Sequence, residues 1–587
     1  MYRTHTCGEL SKKNIGEEVK LCGWVHRRRD HGGVVFIDLR DRYGLTQIVF
    51  RPEDKDIFKN AEDLRSEYVI QIQGKVLVRP EGQEKKDMAT GDVEVEVNGL
   101  KIFSKAKTPP FEIDQEKDVK EEVRLEYRYL DLRKERMQRN MAIRHQMAQL
   151  TRKFWSDRGF LEIETPDLVK GTPEGAREYL VPARLHPGKF YVLPQSPQQF
   201  KQLLMVAGFD KYFQIARCFR DEDQRGDRQP EFTQLDVEMS FAEEEDIMQL
   251  TEDWLKMLTE EVVPHKKIKF TPFLRMTWQE AMDRYGSDKP DMRFDMPIVD
   301  VTTEVKGCDF KVFAQAPLVR ALRVEGGAKF TRSEIDELTE LAKTKGAKGL
   351  AYIVVGDELK SPILKFLKDE QVKTILDRVG AKKGDIVFFG ADEFQVVCGA
   401  LGAVRLACGD KINLKATDEL AYVWVTEFPM FSISDIDGKI SAEHHPFTMP
   451  MEEDIPLLDQ PDKLFRIRSH AYDIVLNGSE IGGGSIRIYD PKLQSKVFET
   501  IGVSGADAQR RFGHMLRAFE YGVPPHGGIA PGFDRIVMLF CDEPDIREVM
   551  AFPKNQQAED LMLGAPSEMP AAQVAEANVK IIEQKKP

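Results

Sequence analysis

Arg217-Cys-Phe-Arg-Asp-Glu-Asp223 and, more than three hundred residues further on, Gly532-Phe-Asp-Arg535 decide how this chain is read. Each sets an arginine where a strand or helix would present it, among carboxylates or glycine. An arginine fork grips phosphate oxygens bidentately, and a lysine does not. A lone arginine is more often an exposed salt-bridge partner; the ordered pair with its neighbours reverses that expectation and points to one polyphosphate. The usual backbone cradles are missing. Gly74-Lys75, Gly188-Lys189 and Gly438-Lys439 are each followed by the wrong residue for a Walker loop, and no G-x-G-x-x-G follows a strand. Side chains would then hold the nucleotide: Arg220, Glu222 and Arg535, with Gln229 and Phe232 from Arg228-Gln-Pro-Glu-Phe232. An aromatic there stacks on a purine, and Arg535 covers its other face.

Working outward, Asp473 and Glu480 flank the short turn Val475-Leu-Asn-Gly478. Such a pair suits Mg²⁺, which takes one or two carboxylates plus substrate phosphates. Alone it would read as two solvated acids. The next segment, Ile481-Gly-Gly-Gly-Ser-Ile-Arg487, raises the functional reading. Three glycines before a strand let a ligand approach the backbone, and Arg487 would project into the same cavity. Gly171-Thr-Pro-Glu-Gly-Ala176 and Leu193-Pro-Gln-Ser-Pro-Gln-Gln-Phe-Lys201 are polar loops near that sheet. Glu174 can accept from an ammonium, and Lys201 with Arg487 can clamp a side-chain carboxylate. Ser196 has no general base at a recognisable spacing, so it reads as a hydrogen-bonding residue. His444 and His445 face different directions on a strand; one as a substrate contact and both as packing are equal readings.

The 587 residues are too many for one core. Hydrophobic content of 41% and charged content of 31% describe a soluble globular protein. No apolar run approaches the ~20 residues that span a bilayer, and Met1-Tyr-Arg-Thr-His-Thr-Cys-Gly8 carries no secretory h-region. Seven scattered cysteines without a C-x-x-C pair fit free thiols in a reducing cytoplasm. A net charge of −13 argues weakly against nucleic acid, but Arg27-Arg28-Arg29 is a local basic stripe.

Residues 1–105 read as five short strands with a helical stretch between the third and fourth (Asp54 to Glu67), a barrel of OB type. Residues 106–135 form a linker centred on Pro109-Pro110, with an amphipathic helix starting at Val123 and running through Met141 to Trp155. Residues 136–290 and 421–587 read as a mixed α+β domain with an antiparallel sheet. Residues 291–420 look like an inserted α/β domain, because the arginine motifs fall on both sides of it.

Taken together, the chain resembles the bacterial-type aspartyl-tRNA synthetases of class IIb over nearly its whole length. The resemblance rests on Trp24-Val-His-Arg-Arg-Arg-Asp30, Tyr127-Arg-Tyr-Leu-Asp-Leu-Arg133, Thr172-Pro-Glu-Gly-Ala-Arg177, Pro194-Gln-Ser-Pro-Gln198, Phe219-Arg-Asp-Glu222, Arg228-Gln-Pro-Glu-Phe232, His444-His-Pro-Phe-Thr448, Glu480-Ile-Gly-Gly-Gly-Ser485 and Gly532-Phe-Asp-Arg535. It implies an OB-fold anticodon-binding barrel, a class II catalytic domain and an inserted GAD domain. It implies that Glu174, Gln198, Lys201, Arg220, His444 and Arg487 contact L-aspartate. By the same resemblance, Arg220, Asp221, Glu222, Gln229, Glu480, Gly532, Phe533, Asp534 and Arg535 contact ATP, and Asp473 with Glu480 hold Mg²⁺. Pro166 resembles the motif 1 proline, which implies a homodimer. Arg29, Phe36 and Gln47 match positions that read the anticodon; on its own, Phe36 would read as an inward-facing strand aromatic.

The reaction so implied joins aspartate to ATP as an adenylate and then to the 3′ end of tRNA(Asp). Neither step needs a protein nucleophile, in keeping with the absence of a Ser-His-Asp or Cys-His pattern. His31, in the loop after the arginine triplet, and Gly82 resemble members that also charge tRNA(Asn). Three rivals stand beside this reading. Lysyl-tRNA synthetase is opposed by two cations facing a lysine ammonium, and asparaginyl-tRNA synthetase by the insertion. The third is a catalytically inactive OB-fold RNA binder, which loss of Arg220, Glu480 or Arg535 would have supported.

Overall fold

Polarity alternates along the first strands because one face of each must be buried. The computed structural model describes residues 1–114, 119–171, 177–222, 226–434 and 438–582. Strands β1 (Glu18–His31), β2 (Val34–Asp41), β3 (Gly44–Phe50), β4 (Val69–Val78) and β5 (Val93–Ser104) close into a barrel in the order β1-β2-β3-β5-β4. Helix α1 (Lys55–Glu62) lies between β3 and β4 as expected, capped by Asp54, which accepts from Ile57 N at 3.1 Å. Val19, Leu21, Val35, Ile37, Ile70, Ile72, Val93 and Val95 fill the interior. Strand β1 runs on to His31, so Asp30 and His31 are strand residues and not loop. The turn is only Gly32-Gly33, both at positive φ (58° and 76°). A two-residue hairpin with that handedness favours glycine at both places.

Two compact units divide the chain: Met1–Ala142 with Ala551–Ser567, and Ile143–Met550 with Glu568–Pro587. In the first, the single helix expected from Val123 is three: Glu121–Glu126, Arg128–Asp131 and α2 (Glu135–Ser156), which continues into the second unit. The breaks fold three cations round one buried carboxylate. Asp131 receives Arg124 at 3.0 Å, Arg128 at 2.6 Å and Lys134 at 3.0 Å. These contacts hold its carboxyl below the usual range against the opposing effect of burial.

The second unit is built on an eight-stranded sheet. Its strands are β6 (Leu161–Glu162), β7 (Lys211–Phe219), β8 (Glu231–Ser240), β9 (Leu274–Thr277), β10 (Tyr422–Thr426), β11 (Ala471–Leu476), β12 (Ser479–Ile486) and β13 (His526–Pro531). Their order is β9-β10-β11-β12-β13-β8-β7-β6. The six inner strands are antiparallel; β9 and β6 join the edges in parallel. One face carries Leu235, Val237, Trp424, Ile474, Ile481 and Ile529, packed on residues of α2, α4 (Glu244–Val262) and α5 (Phe533–Phe540) such as Trp155, Trp254, Leu258 and Ile536. The other face carries an apolar cluster with Met276, Val423, Val425 and Val475 towards β9, and polar side chains such as Asp236 and Glu238 along β8. Helix α3 (Gln198–Val206) approaches β8 from there.

Between β9 and β10 lies a second sheet, of five strands from Ile298–Asp300 to Ile386–Asp392, all antiparallel. Two apolar clusters cover its faces. One contains Val319, Ala321, Val387 and Phe389, the other Leu322, Val324, Ile386 and Phe388. All seven cysteines are unpaired thiols. Among the described residues no helix is long and apolar enough to cross a membrane.

Candidate functional site

Arg220 and Arg535 meet in one cavity. Arg220 follows β7, and its backbone N–H donates to Pro230 O at 2.8 Å, closing the hairpin to β8. Arg535 stands in the first turn of α5, behind Gly532, whose N–H donates to Ile481 O at 2.8 Å. Both side chains line a cavity of about 290 Å³ with Glu222, Gln229, Phe232, Glu480 and Gly532. The Arg220 guanidinium lies 5.1 Å from the centre of the Phe232 ring. Arg535 donates to the Glu480 carbonyl and, at 3.2 Å, to Asp227. The Nε groups of both arginines are buried without a partner among the described residues. Two buried unsatisfied N–H donors in a shared cavity call for an anionic acceptor.

Asp473 and Glu480 sit on adjacent strands beside a bulge between Ile474 and Val475. Asp473 is buried; its Oδ1 lies 3.4 Å from His444 Nε2 with no donor in hydrogen-bond geometry. Burial, and then Glu480, push the Asp473 carboxyl up. Burial acts the same way on Glu480 but Lys289, 2.7 Å away, outweighs it and holds the carboxyl low. No cluster of three or more His, Cys, Asp or Glu among the described residues could hold a metal alone. An orphaned carboxylate oxygen beside a second carboxylate suits a cation that brings its other ligands with the substrate, as Mg²⁺ does.

The three glycines of β12 answer mainly to protein neighbours and not, as expected, to a ligand. A Cβ at Gly482 would lie 2.8 Å from Pro531 Cα, and one at Gly484 would lie 2.3 Å from Gly528 O. At Gly483 it would lie 2.7 Å from Asp473 Oδ1, filling the side of that carboxylate.

Further along β8 is a fully buried ion cluster. Arg487, 1% exposed, forks onto Glu238 at 3.0 and 3.1 Å and meets His445 Nε2 at 2.6 Å. Lys201, also 1% exposed, reaches Asp236 at 2.8 Å and Glu238 at 3.3 Å. Burial lowers the His445 pKa strongly, with Arg487 adding to it, so this imidazole is neutral. Burial also lowers His444, but Asp473 reverses the balance and raises it. The two histidines do face apart, one to each cluster. Gln198 opens α3 with its Nε2 buried and unpartnered among the described residues. Glu174 lies outside the described residues.

Not every residue named for ATP reaches the arginine cavity. Asp221 is exposed and bridges to Arg177 through its backbone. Phe533 is packed in the core behind the cavity; Asp534 does line it, accepting from Thr233 N at 2.6 Å and pairing with Arg144. Sequence reading missed Asp236, Glu238 and Lys289. The signal for the first two was the run Phe232-Thr-Gln-Leu-Asp-Val-Glu238, where polar residues alternate with Leu235 and Val237. Alternation of that kind reads as a solvated face, yet here Asp236 and Glu238 are wholly buried.

In the barrel, Arg29 forks onto Asp38 at 2.9 and 2.7 Å and touches Gln47 at 3.3 Å. Phe36 pairs with Arg29 across β1 and β2, on the face opposite Val35 and Ile37. It is half-buried and outside the barrel core, which removes the inward-facing alternative. His31 is exposed at the hairpin end, and Gly82 has φ +81° with open space where a Cβ would stand.

A family model described as tRNA synthetases class II (D, K and N) matches residues 120–556, and one described as an OB-fold nucleic acid binding domain matches residues 19–103. The chain is 52% identical over 585 residues to the aspartate–tRNA(Asp/Asn) ligase of Rubrobacter xylanophilus, covering 99% of this chain and 97% of that one. It is 50% identical over 588 residues to the aspartate–tRNA ligase of Ruminiclostridium cellulolyticum, covering 99% and 98%. Among solved structures it is similar to the asparaginyl-tRNA synthetase of Pyrococcus horikoshii complexed with asparaginyl-adenylate, at a TM-score of 0.60 and 19% identity, covering 94% and 98%. That last likeness bears on the fold alone.

Proposed function

Because the chain belongs to the class II tRNA synthetases (D, K and N), we propose that its shared arginine cavity is where ATP and aspartate are joined. The chain is an aspartate–tRNA ligase and takes ATP as a substrate. Arg220 and Arg535 bind the phosphates and the purine through the donors they hold unpaired. Phe232 gives the base an aromatic face beside Arg220. The aspartate α-carboxylate attacks the α-phosphorus and pyrophosphate leaves. Negative charge gathers on the phosphoryl oxygens, and a prepositioned guanidinium stabilises it without reorganisation. Asp473 and Glu480 would hold Mg²⁺, which when bound supplies further positive charge to those oxygens. Lys201 and Arg487 hold the aspartate side chain, and Gln198, Glu174 and His444 orient its backbone groups. The terminal hydroxyl of tRNA then attacks the mixed anhydride, and AMP leaves. Positioning and fixed charge account for the rate, with no protein nucleophile.

Arg29, Phe36 and Gln47 take the anticodon, with Phe36 as the stacking platform. His31 and Gly82 support a wider reading in which tRNA(Asn) is charged as well as tRNA(Asp). The residues between β9 and β10 are a GAD domain. Pro166, with Leu161 on the edge strand β6 and Leu168 in the segment after it, each 52% exposed, supports a homodimer through that region. A protein working on tRNA in these roles belongs in the cytoplasm. The observation that carries the reading is the pair of unpartnered Nε donors in one cavity. ATP–pyrophosphate exchange with each amino acid, without tRNA, tests it: exchange with aspartate and not asparagine is expected. Charging of purified tRNA(Asp) and tRNA(Asn) then decides how many tRNAs are accepted.

A further inference from the structure

The segment Gly286–Met296 carries the chain from the main sheet towards the inserted one. It reaches the nucleotide cavity at Lys289. Its start is pinned by a close approach of two glycines. A Cβ on Gly286 (φ +68°) would lie 2.4 Å from Cys398 O, and one on Gly402 would lie 2.6 Å from Gly286 O. Both partners belong to the inserted domain's helix Phe394–Lys411. One turn further along that helix, Arg405 clamps the end of the segment. Its guanidinium donates to Asp291 O at 3.0 Å, Phe294 O at 2.9 Å and Met296 O at 3.1 Å. The rings of Phe294 and Tyr285 flank it at 4.2 and 4.9 Å. Arg405 is 1% exposed and makes no carboxylate ion pair among the described residues. A charged side chain buried against carbonyls alone costs desolvation unless it fixes that backbone.

Between these anchors Lys289 extends its ammonium to Glu480 at 2.7 Å. The other cations of the cavity are differently placed: Arg220 lies against the Phe232 ring, Arg228 pairs with Glu222 and Arg535 with Asp227. Lys289 alone among these four has as its side-chain partner a carboxylate that a metal would claim. We propose that Lys289 is a binding residue for the triphosphate of ATP, presented by the inserted domain through Arg405, and that it leaves Glu480 for a phosphate oxygen when ATP enters. The inference rests on the nucleotide reading of the cavity given above.

The test uses the full-length chain and the variants Lys289→Met, Lys289→Arg, Arg405→Met and the double Met variant. ATP affinity is measured by equilibrium dialysis, with Mg²⁺ and with EDTA. The KM values for ATP and aspartate come from pyrophosphate exchange, and thermal unfolding is followed beside them. Loss of one charge-assisted phosphate contact is expected to weaken ATP binding about 10- to 100-fold in Lys289→Met, with the aspartate KM within about twofold and Lys289→Arg restoring most of the loss. Arg405→Met is expected to weaken ATP in the same sense, and the double variant to be no worse than Lys289→Met. ATP binding within twofold of the parent in Lys289→Met overturns the proposal, leaving only a latch on Glu480. A parallel loss of ATP, aspartate and thermal stability also overturns it. An absence of exchange in the parent chain would instead sink the activation reading, while dialysis still decides Lys289.

Discussion

Arg487→Leu isolates the dicarboxylic acid from the nucleotide. Arg487 is fully buried and gives Glu238 two hydrogen bonds at 3.0 and 3.1 Å. Removing one partner of a buried pair typically costs about 3–5 kcal/mol, because the other charge is left uncompensated. Lys201, 3.3 Å from Glu238, softens that loss. The variant should therefore unfold at a lower temperature. A charge-assisted hydrogen bond to substrate contributes about 1.5–3 kcal/mol, so the aspartate KM should rise about 10- to 100-fold. The ATP KM should stay within about threefold, since Arg220 and Arg535 are untouched. Adding Glu238→Gln removes the stranded charge; the double variant should recover stability and not aspartate affinity. The assay is pyrophosphate exchange at varied aspartate with saturating ATP, alongside thermal unfolding. A near-normal aspartate KM in Arg487→Leu, or its recovery in step with stability in the double variant, refutes the clamp.

Phe36→Ala should raise the KM for tRNA about 5- to 100-fold, the worth of one stacked base, and leave exchange without tRNA unchanged; equal losses in both would return Phe36 to a structural role. Gly483→Ala drives a methyl group to 2.7 Å from Asp473 Oδ1, so more Mg²⁺ should be needed for half-maximal exchange, and an unchanged Mg²⁺ titration would count against Asp473. His470 is raised to about 9: burial lowers it, but Glu244 at 2.8 Å and Glu452 at 3.0 Å prevail. Its folded pKa lies above its unfolded one, so the stabilisation is full below about pH 6.5 and is lost as pH rises through about 9. It is worth about 3–4 kcal/mol at most, and less because Glu452 is largely exposed to solvent. His470→Gln should flatten the stability profile across that window, and an unchanged slope would show the pairs contribute little.

Much of this was legible because it is local. The barrel strands, α1, the arginine pair and the carboxylate pair lie in short stretches whose spacing and residue types carry the message. The three-part helix was not legible, since nothing in 121–156 says that Asp131 would gather Arg124, Arg128 and Lys134. Asp236 and Glu238 were missed for a related reason. Period-2 polarity normally marks a wet face, and only the arrival of Lys201 and Arg487 from distant segments makes that face dry. Lys289 was hidden by the same remoteness: its meaning depends on Glu480, in a strand on the far side of the inserted sheet in sequence. Conversely, the triple glycine was noticed for ligand approach, while the packing of β13 and Tyr472 against it explains the residue type.

Strand β8 is a ruler. Phe232 and Gln234 line the arginine cavity, Asp236 and Glu238 hold the buried ion cluster, and successive marks along the strand stand about 7 Å apart. On the function proposed above, the gap between nucleotide and amino acid would thus be measured out by backbone repeat. Side chains at each mark can be exchanged for new tastes, but a single inserted residue would turn every mark to the wrong side.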